Sequence, residues 1–158
     1  MHRGVQTLRR WFKSTSRRTF VVLPVALIVL EYFLRGGELR INLWGLPLLV
    51  WGYLQYRLAG HYRIRLGGGG PGMANPPERL VSTGIYAATR NPMYLGHLIF
   101  ISGLAITLRS LTAVALLLVH MAWFHKRVLV DERRLEEAWG PEYIDYTHRV
   151  KRWLPGLF

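Results

Sequence analysis

The sequence predicts an all-α integral membrane protein, a helical bundle of about four transmembrane helices with an interfacial helix at each end. Three observations carry that expectation. Hydrophobic residues make up 51% of the 158 positions while the net charge is +12, and the basic residues alternate with long apolar runs along the chain. A basic soluble domain that binds nucleic acid gathers its cations on one face, so the alternation favours a bilayer partner over a duplex. The length suits a single domain, residues 1–158. The chain has no cysteine, which excludes disulfides, thiolate metal ligands and a cysteine nucleophile.

Residues 1–18 carry six basic side chains, Arg3, Arg9, Arg10, Lys13, Arg17 and Arg18, with Val5, Leu8, Trp11 and Phe12 between them. That pattern predicts a basic helix lying on an anionic membrane face. The run Thr19 to Leu34 is apolar apart from Glu31, and no small-residue cleavage motif follows it, so it is read as a retained first span. Glu31 is costly in lipid and must serve either as a packing partner or as part of a pocket.

The polar turn Arg35 to Arg40 leads into a second span, Ile41 to Ala59. Residues 60–92 then form a loop containing the glycine run Gly67 to Gly70 and the prolines Pro71, Pro76 and Pro77. No G-K-[ST] follows the glycines, so they read as a flexible linker rather than a phosphate loop. Met93 to Leu108 is the third span, and Leu111 to about Val130 the fourth, joined by so short a link that the pair must be a tight hairpin. The fourth is expected to continue as helix into the charged run DERRLEEAW. Beyond Gly140 and Pro141, Tyr143, Tyr146, Val150, Trp153 and Leu154 recur near a 3.6-residue period among charged neighbours. A second interfacial helix is expected there.

With both termini cytoplasmic, only Arg35, Arg40 and Arg109 of the 21 basic residues fall outside, as the positive-inside bias requires. The long loop and the charged C-terminal tail then share the inner face. Two chemistry-bearing clusters lie on it. In Glu78 to Gly96, Asn91 precedes Pro92, which suits a helix N-terminus. The free N–H groups there, with the Arg90 guanidinium and the walls of Tyr86 and Tyr94, make a site for a carboxylate or phosphate. In Val130 to Tyr146, Asp131 and Glu132 supply negative charge for an ammonium or for ribose hydroxyls. Each cluster also has a plainer reading: Arg90 as a topology signal before an ordinary helix start, and Asp131 to Arg134 as a solvated helix end with internal ion pairs. His97, His120 and His125 are too scattered to predict a metal site, and none is expected.

Taken together, LVSTGIYAATRNPMYLG and DERRLEEAWGPEYIDYTHRVKRWLP resemble the paired signatures of the isoprenylcysteine carboxyl methyltransferase and phospholipid methyltransferase superfamily. Leu80, Val81, Gly84, Tyr86, Arg90, Pro92, Tyr94 and Gly96 match the first signature. Asp131, Glu132, Gly140, Tyr143, Tyr146, Val150, Arg152 and Pro155 match the second. Two departures stand out: Asn91 replaces the family's histidine and Asp131-Glu132 its glutamate pair. Asparagine still donates and accepts hydrogen bonds but cannot titrate near neutral pH.

The resemblance implies methyl transfer from S-adenosylmethionine to a lipophilic or small acceptor, a carboxylate, thiol or amine, at the cytoplasmic membrane face. It implies a cofactor site made by Arg79, Leu80, Val81, Tyr86, Arg90, Asn91, Pro92, Met93 and Tyr94, closed by Glu132. Arg90, Tyr94 and Glu132 would stand at the reacting centre. Arg127 and Lys126, one turn before Glu132, are placed either to meet an acidic acceptor or to anchor the topology. The competing readings are an NADPH-dependent reductase of the sterol-reductase type and a non-enzymatic membrane protein with the same fold.

Overall fold

The computed structural model describes residues 14–68 and 77–154, and all regular elements among them are helices. Helix α1 is Leu23–Leu34, continued on its N-terminal side by a π-helical turn, Arg18–Val22, and a short α-turn, Thr15–Arg17. Pro24 explains the irregular turn: it has no N–H for the Phe20 carbonyl one turn back, and its ring crowds that carbonyl. Helix α2 is Leu46–Gly67, entered through a 3-10 turn at Leu43–Gly45. A second 3-10 turn, Gly84–Ala87, lies in the following loop. Helix α3 is Pro92–Thr107, α4 is Leu111–Trp139 and α5 is Pro141–Arg149.

The third and fourth apolar stretches become α3 and α4 as expected, and α4 runs unbroken through the charged segment to Trp139. Ser110 caps it, its hydroxyl accepting from the Ala113 N–H at 2.9 Å. Two features differ from expectation. Helix α2 does not stop at Ala59 but continues to Gly67, because His61, Tyr62, Arg63 and Arg65 are polar without breaking helix. The apolar face of α5 is not laid on a membrane surface. Tyr143, Tyr146 and Val150 are buried against Leu80, Leu135 and Trp139 of the protein itself. Of the expected N-terminal interfacial helix, residues 1–13 lie outside the described residues, as do Gly69, Gly70, Pro71, Pro76 and Pro155.

Among the described residues one helix, Leu111–Trp139, is long and apolar enough to cross a membrane, and Pro92–Thr107 is apolar but shorter. Large apolar side chains nevertheless face outward from three helices: Val25, Val29 and Phe33 on α1, Val50, Trp51 and Leu54 on α2, and Leu111, Leu118 and Val119 on α4. An apolar surface of that extent needs a cover.

The bundle is held by close approach of backbones. Gly45, Gly52 and Ala59 recur every seven residues on α2 and its entry turn, opposite Gly96 and Gly103 on α3. A Cβ at Gly52 would lie 2.5 Å from the Phe100 nitrogen and 2.7 Å from the Gly96 oxygen, and one at Gly96 would lie 2.8 Å from the Gly52 oxygen. Small residues at this spacing let two helices touch along their length. Buried Gln55 adds a donor from α2 to the Pro92 carbonyl at 3.1 Å, so the same contact fixes the start of α3.

At the opposite end, Glu31 acts as a packing partner. Its carboxylate accepts from the Ser110 hydroxyl and pairs with Arg35 at 2.7 Å. Arg35 also donates to the Arg109 carbonyl at 2.8 Å. These contacts tie α1 to the turn between α3 and α4, satisfying a buried charge from both sides.

The α2–α3 contact yields a paired prediction. Gly52→Leu forces side-chain atoms into the α3 backbone and lowers the melting temperature in detergent sharply, at a cost of at least about 2 kcal/mol. Gly60→Ala, whose Cβ would meet only the end of Met93 at 4.0 Å, leaves it unchanged or slightly raised.

Candidate active site

The start of α3, the second halves of α2 and α4, the Gly84–Ala87 turn and α5 converge at one end of the bundle. All of these but α5 line a cavity of about 290 Å³, near the lower size for a small-molecule site. Helix α4 contributes Arg127, Asp131, Arg134, Leu135 and Ala138, whose three- and four-residue spacing defines one helical face. Asn91, Pro92, Met93 and Tyr94 line it from the start of α3, Arg63 from α2, and Pro77, Tyr86 and Arg90 from the loop.

Asp131 is the acid on this wall. The Tyr94 hydroxyl donates to its carboxylate at 2.6 Å, and Arg127 Nε donates to the Tyr94 oxygen at 3.0 Å. The chain Arg127–Tyr94–Asp131 holds the phenol between a cation and an anion. Arg134, three residues further along the same face, has no ion-pair partner among the described residues.

Glu132 is turned elsewhere. It is 8% exposed and accepts from Arg90 Nε at 3.2 Å, Arg152 Nε at 2.9 Å and Asn91 Nδ2 at 3.2 Å. Arg90 Nη1 donates to the carbonyls of Thr147 at 3.0 Å and Val150 at 3.2 Å, and its backbone N–H bonds the Lys151 carbonyl at 3.0 Å. Asn91 is the N-cap of α3 but makes no side-chain cap bond. Its amide instead reaches Glu132 and the Arg152 carbonyl, the latter at 3.3 Å. The Thr89 hydroxyl donates to that carbonyl at 3.0 Å. One carboxylate thus joins the start of α3, the middle of α4 and the segment after α5.

A smaller lobe of about 50 Å³ adjoins the cavity, sharing Arg63, Pro77, Tyr86, Arg90 and Leu135 with it and adding Leu80, Val81, Trp139, Tyr143 and Tyr146. The Tyr143 hydroxyl is buried without a hydrogen-bond partner among the described residues. The Tyr146 hydroxyl donates to the Tyr86 carbonyl at 2.7 Å. Burial pushes the Tyr86 phenol up to about 12, with the nearby Arg63 cation opposing the shift. Burial likewise raises Tyr143 and Tyr146. All three are neutral at physiological pH and serve as hydrogen-bonding walls, not bases.

Of the residues singled out from sequence, Tyr86, Arg90, Asn91, Pro92, Met93, Tyr94 and Arg127 meet around the cavity, with Leu80 and Val81 in the side lobe. Arg79 lines neither. It is anchored through its backbone N–H, which bonds the Gly67 carbonyl at 2.8 Å. Glu132 lines neither as well, because adjacent helical residues point about 100° apart and Asp131 takes the cavity side. Sequence reasoning missed Arg63, Arg134, Leu135 and Ala138. The available signal for the last three was their spacing from Arg127 and Asp131. No metal-holding group of three ligands occurs among the described residues.

The arrangement defines a helical protein whose cavity sets several cations and one acid among aromatic walls, suited to a small molecule carrying charge of both signs. Residues 42–142 match the family model for phospholipid methyltransferase, and the chain belongs to that family. Among its relatives, protein-S-isoprenylcysteine O-methyltransferase B of Arabidopsis thaliana is 32% identical over 79 residues, 49% of this chain and 40% of the relative. The protein-S-isoprenylcysteine O-methyltransferase of Saccharomyces cerevisiae is 35% identical over 77 residues, 48% of this chain and 32% of the relative. The cobalt-zinc-cadmium resistance protein CzcN of Cupriavidus metallidurans is 31% identical over 144 residues, covering 90% of this chain and 66% of the relative. The match to the plant methyltransferase therefore spans about two fifths of that protein.

The two adjacent acids should behave differently. Glu132→Gln leaves two guanidiniums without their shared counter-charge and destabilises the fold by about 3 kcal/mol. Asp131→Asn keeps a hydrogen bond to Tyr94 and changes the thermal unfolding midpoint little. Equal effects on the midpoint in detergent would contradict this division.

Proposed function

We propose that this protein is an integral membrane methyltransferase that moves the methyl group of S-adenosylmethionine to a lipophilic or small acceptor at the cytoplasmic membrane face. The observation that carries the reading is the Arg127–Tyr94–Asp131 chain beside Arg134 in an aromatic-walled cavity, within a chain of the phospholipid methyltransferase family. The outward apolar surfaces of α1, α2 and α4 support a bundle of about four membrane-crossing helices, and the distribution of basic residues along the chain supports cytoplasmic termini.

The donor set fits the cofactor. Asp131 suits its ammonium, and Arg134 with Arg63 suits its carboxylate. Met93, Leu135, Tyr86 and Tyr94 offer apolar and aromatic surface for the remainder, and Tyr143 lines the side lobe. When bound, the cofactor supplies an electrophilic methyl on a sulfonium. Tyr94 holds the Asp131 carboxylate in place, and Arg127 fixes the Tyr94 oxygen while turning its cationic side toward an acidic acceptor. Arg90 and Glu132 hold the floor of the site together rather than contact the cofactor.

Orientation and exclusion of water are sufficient sources of acceleration for a displacement at a sulfonium methyl. A carboxylate or thiolate acceptor needs no base. An amine acceptor must lose a proton, and Asp131, the only carboxylate lining the cavity among the described residues, is committed to Tyr94. The isoprenylcysteine methyltransferases among the relatives favour a prenylated, carboxylate-bearing acceptor.

Calorimetry on detergent-purified protein tests the reading. S-adenosylmethionine and S-adenosylhomocysteine are expected to bind at micromolar concentration. Asp131→Asn or Arg134→Gln should each weaken binding about tenfold, equivalent to ~1.4 kcal/mol, with Gly60→Ala as the unaffected control. Folded protein that binds neither compound, or binds only NADPH, would overturn it.

A further inference from the structure

A second opening lies between the first helical stretch and α4, with a volume of about 360 Å³. From the first stretch it is lined by Thr15, Arg18, Thr19, Val22, Leu23 and Ala26, a three- and four-residue spacing that marks one continuous helical face. That face changes character along its length. Its first three residues are hydroxyl or cationic and its last three are apolar. At about 1.5 Å per residue, Thr15 to Ala26 spans roughly 16 Å, about one leaflet of a ~30 Å hydrocarbon core.

Helix α4 supplies His120 and Trp123 to the other wall. The Arg18 guanidinium stands 5.8 Å from the Trp123 ring centre and makes a long 3.5 Å contact to the Thr15 hydroxyl. It has no carboxylate partner among the described residues. Arg18 is exposed, and Arg9, Arg10, Lys13 and Arg17 precede it in the chain. The site thus has a cation and hydroxyls at one end and an aliphatic slot at the other. Just beyond the Ala26 end of the groove, Glu31, Ser110 and the cluster of Leu27 with Ala113 hold α1 to the start of α4.

The groove does not run into the methyl-transfer cavity. Phe124 and His97, both 0% exposed, stand between them. Phe124 packs against Tyr94 at 5.0 Å between ring centres on one side and against Trp123, also at 5.0 Å, on the other.

We propose that this groove binds one anionic phospholipid from the bilayer, its phosphate at Arg18 and an acyl chain along Val22, Leu23 and Ala26, as a brace between α1 and α4. The charge selects the headgroup, since Arg18 lines the groove and no carboxylate lines it among the described residues to pair with the ammonium of a zwitterionic lipid. The apolar half selects a chain over a soluble phosphate. The proposal rests on the membrane setting proposed above but not on methyl transfer.

Native mass spectrometry of the full chain, titrated with phosphatidylglycerol or phosphatidylcholine, tests it, with S-adenosylhomocysteine affinity measured on the same preparations. The wild-type protein is expected to retain one phosphatidylglycerol with at least tenfold preference over phosphatidylcholine. Arg18→Gln should reduce that preference below threefold and Arg18→Lys should keep most of it, while S-adenosylhomocysteine binding stays within twofold in all three proteins. Phosphatidylglycerol should also raise the wild-type melting temperature more than phosphatidylcholine does. Equal retention of the two lipids, or a preference indifferent to Arg18→Gln, would overturn the proposal. So would displacement of the lipid by an S-isoprenylcysteine analogue, which would make the groove an acceptor entrance. Loss of S-adenosylhomocysteine binding with lipid preference intact would count against the methyltransferase reading alone.

Discussion

The Glu132 carboxylate, shared by Arg90, Arg152 and Asn91, is the constraint on which the candidate site depends. Through them Glu132, on α4, ties together the start of α3 and the segment that follows α5. A carboxylate taken this far from water is tolerable only because guanidinium and amide donors replace its hydration. Arg90 extends the tie by bonding carbonyls of Thr147 and Val150, so the C-terminal segment folds back over the loop. That fold-back holds in place Arg90 and Asn91, which line the cavity.

Placing Glu132 in this role leaves Asp131 to face the cavity, and the difference follows from helical geometry alone. Adjacent acids on a helix point in directions about 100° apart, so a pair can serve two unlike purposes. One neutralises buried cations, and the other is presented to whatever enters, oriented by Tyr94 and flanked by Arg127 and Arg134. The replacement of the family's histidine by Asn91 fits the same division. Asn91 spends its amide on Glu132 and the Arg152 carbonyl, bonds that need donors rather than a titrating group.

Much of this was legible in the sequence. The apolar runs located α3 and α4 to within a residue or two, because Pro92 and Ser110 are helix-start residues whose effect is local. The convergence of Arg90, Asn91 and Tyr94 was legible through the paired signatures, and Arg127 only through its place one turn before Glu132. What escaped depended on direction or distance. Helix α2 runs past Ala59 because polarity ends an apolar span without ending a helix, and that continuation carries Arg63 into the cavity. The periodic tyrosines of α5 indicated an apolar face but not that Leu80, Leu135 and Trp139 would cover it. Which of two neighbouring acids faces inward is set by the rotation of α4, and that is fixed by Phe124 and Val128 packing against Tyr94, a contact that spans more than a helix length of sequence.

The most direct test of the account is a structure of the protein with S-adenosylhomocysteine bound. The account predicts the ligand between Tyr86, Tyr94 and the Arg127-to-Ala138 face of α4, its charged end at Asp131 and Arg134, with Glu132 still bonded to Arg90 and Arg152. A structure in which Glu132 has left its arginines to contact the ligand, or in which the ligand lies outside this cavity, would contradict it.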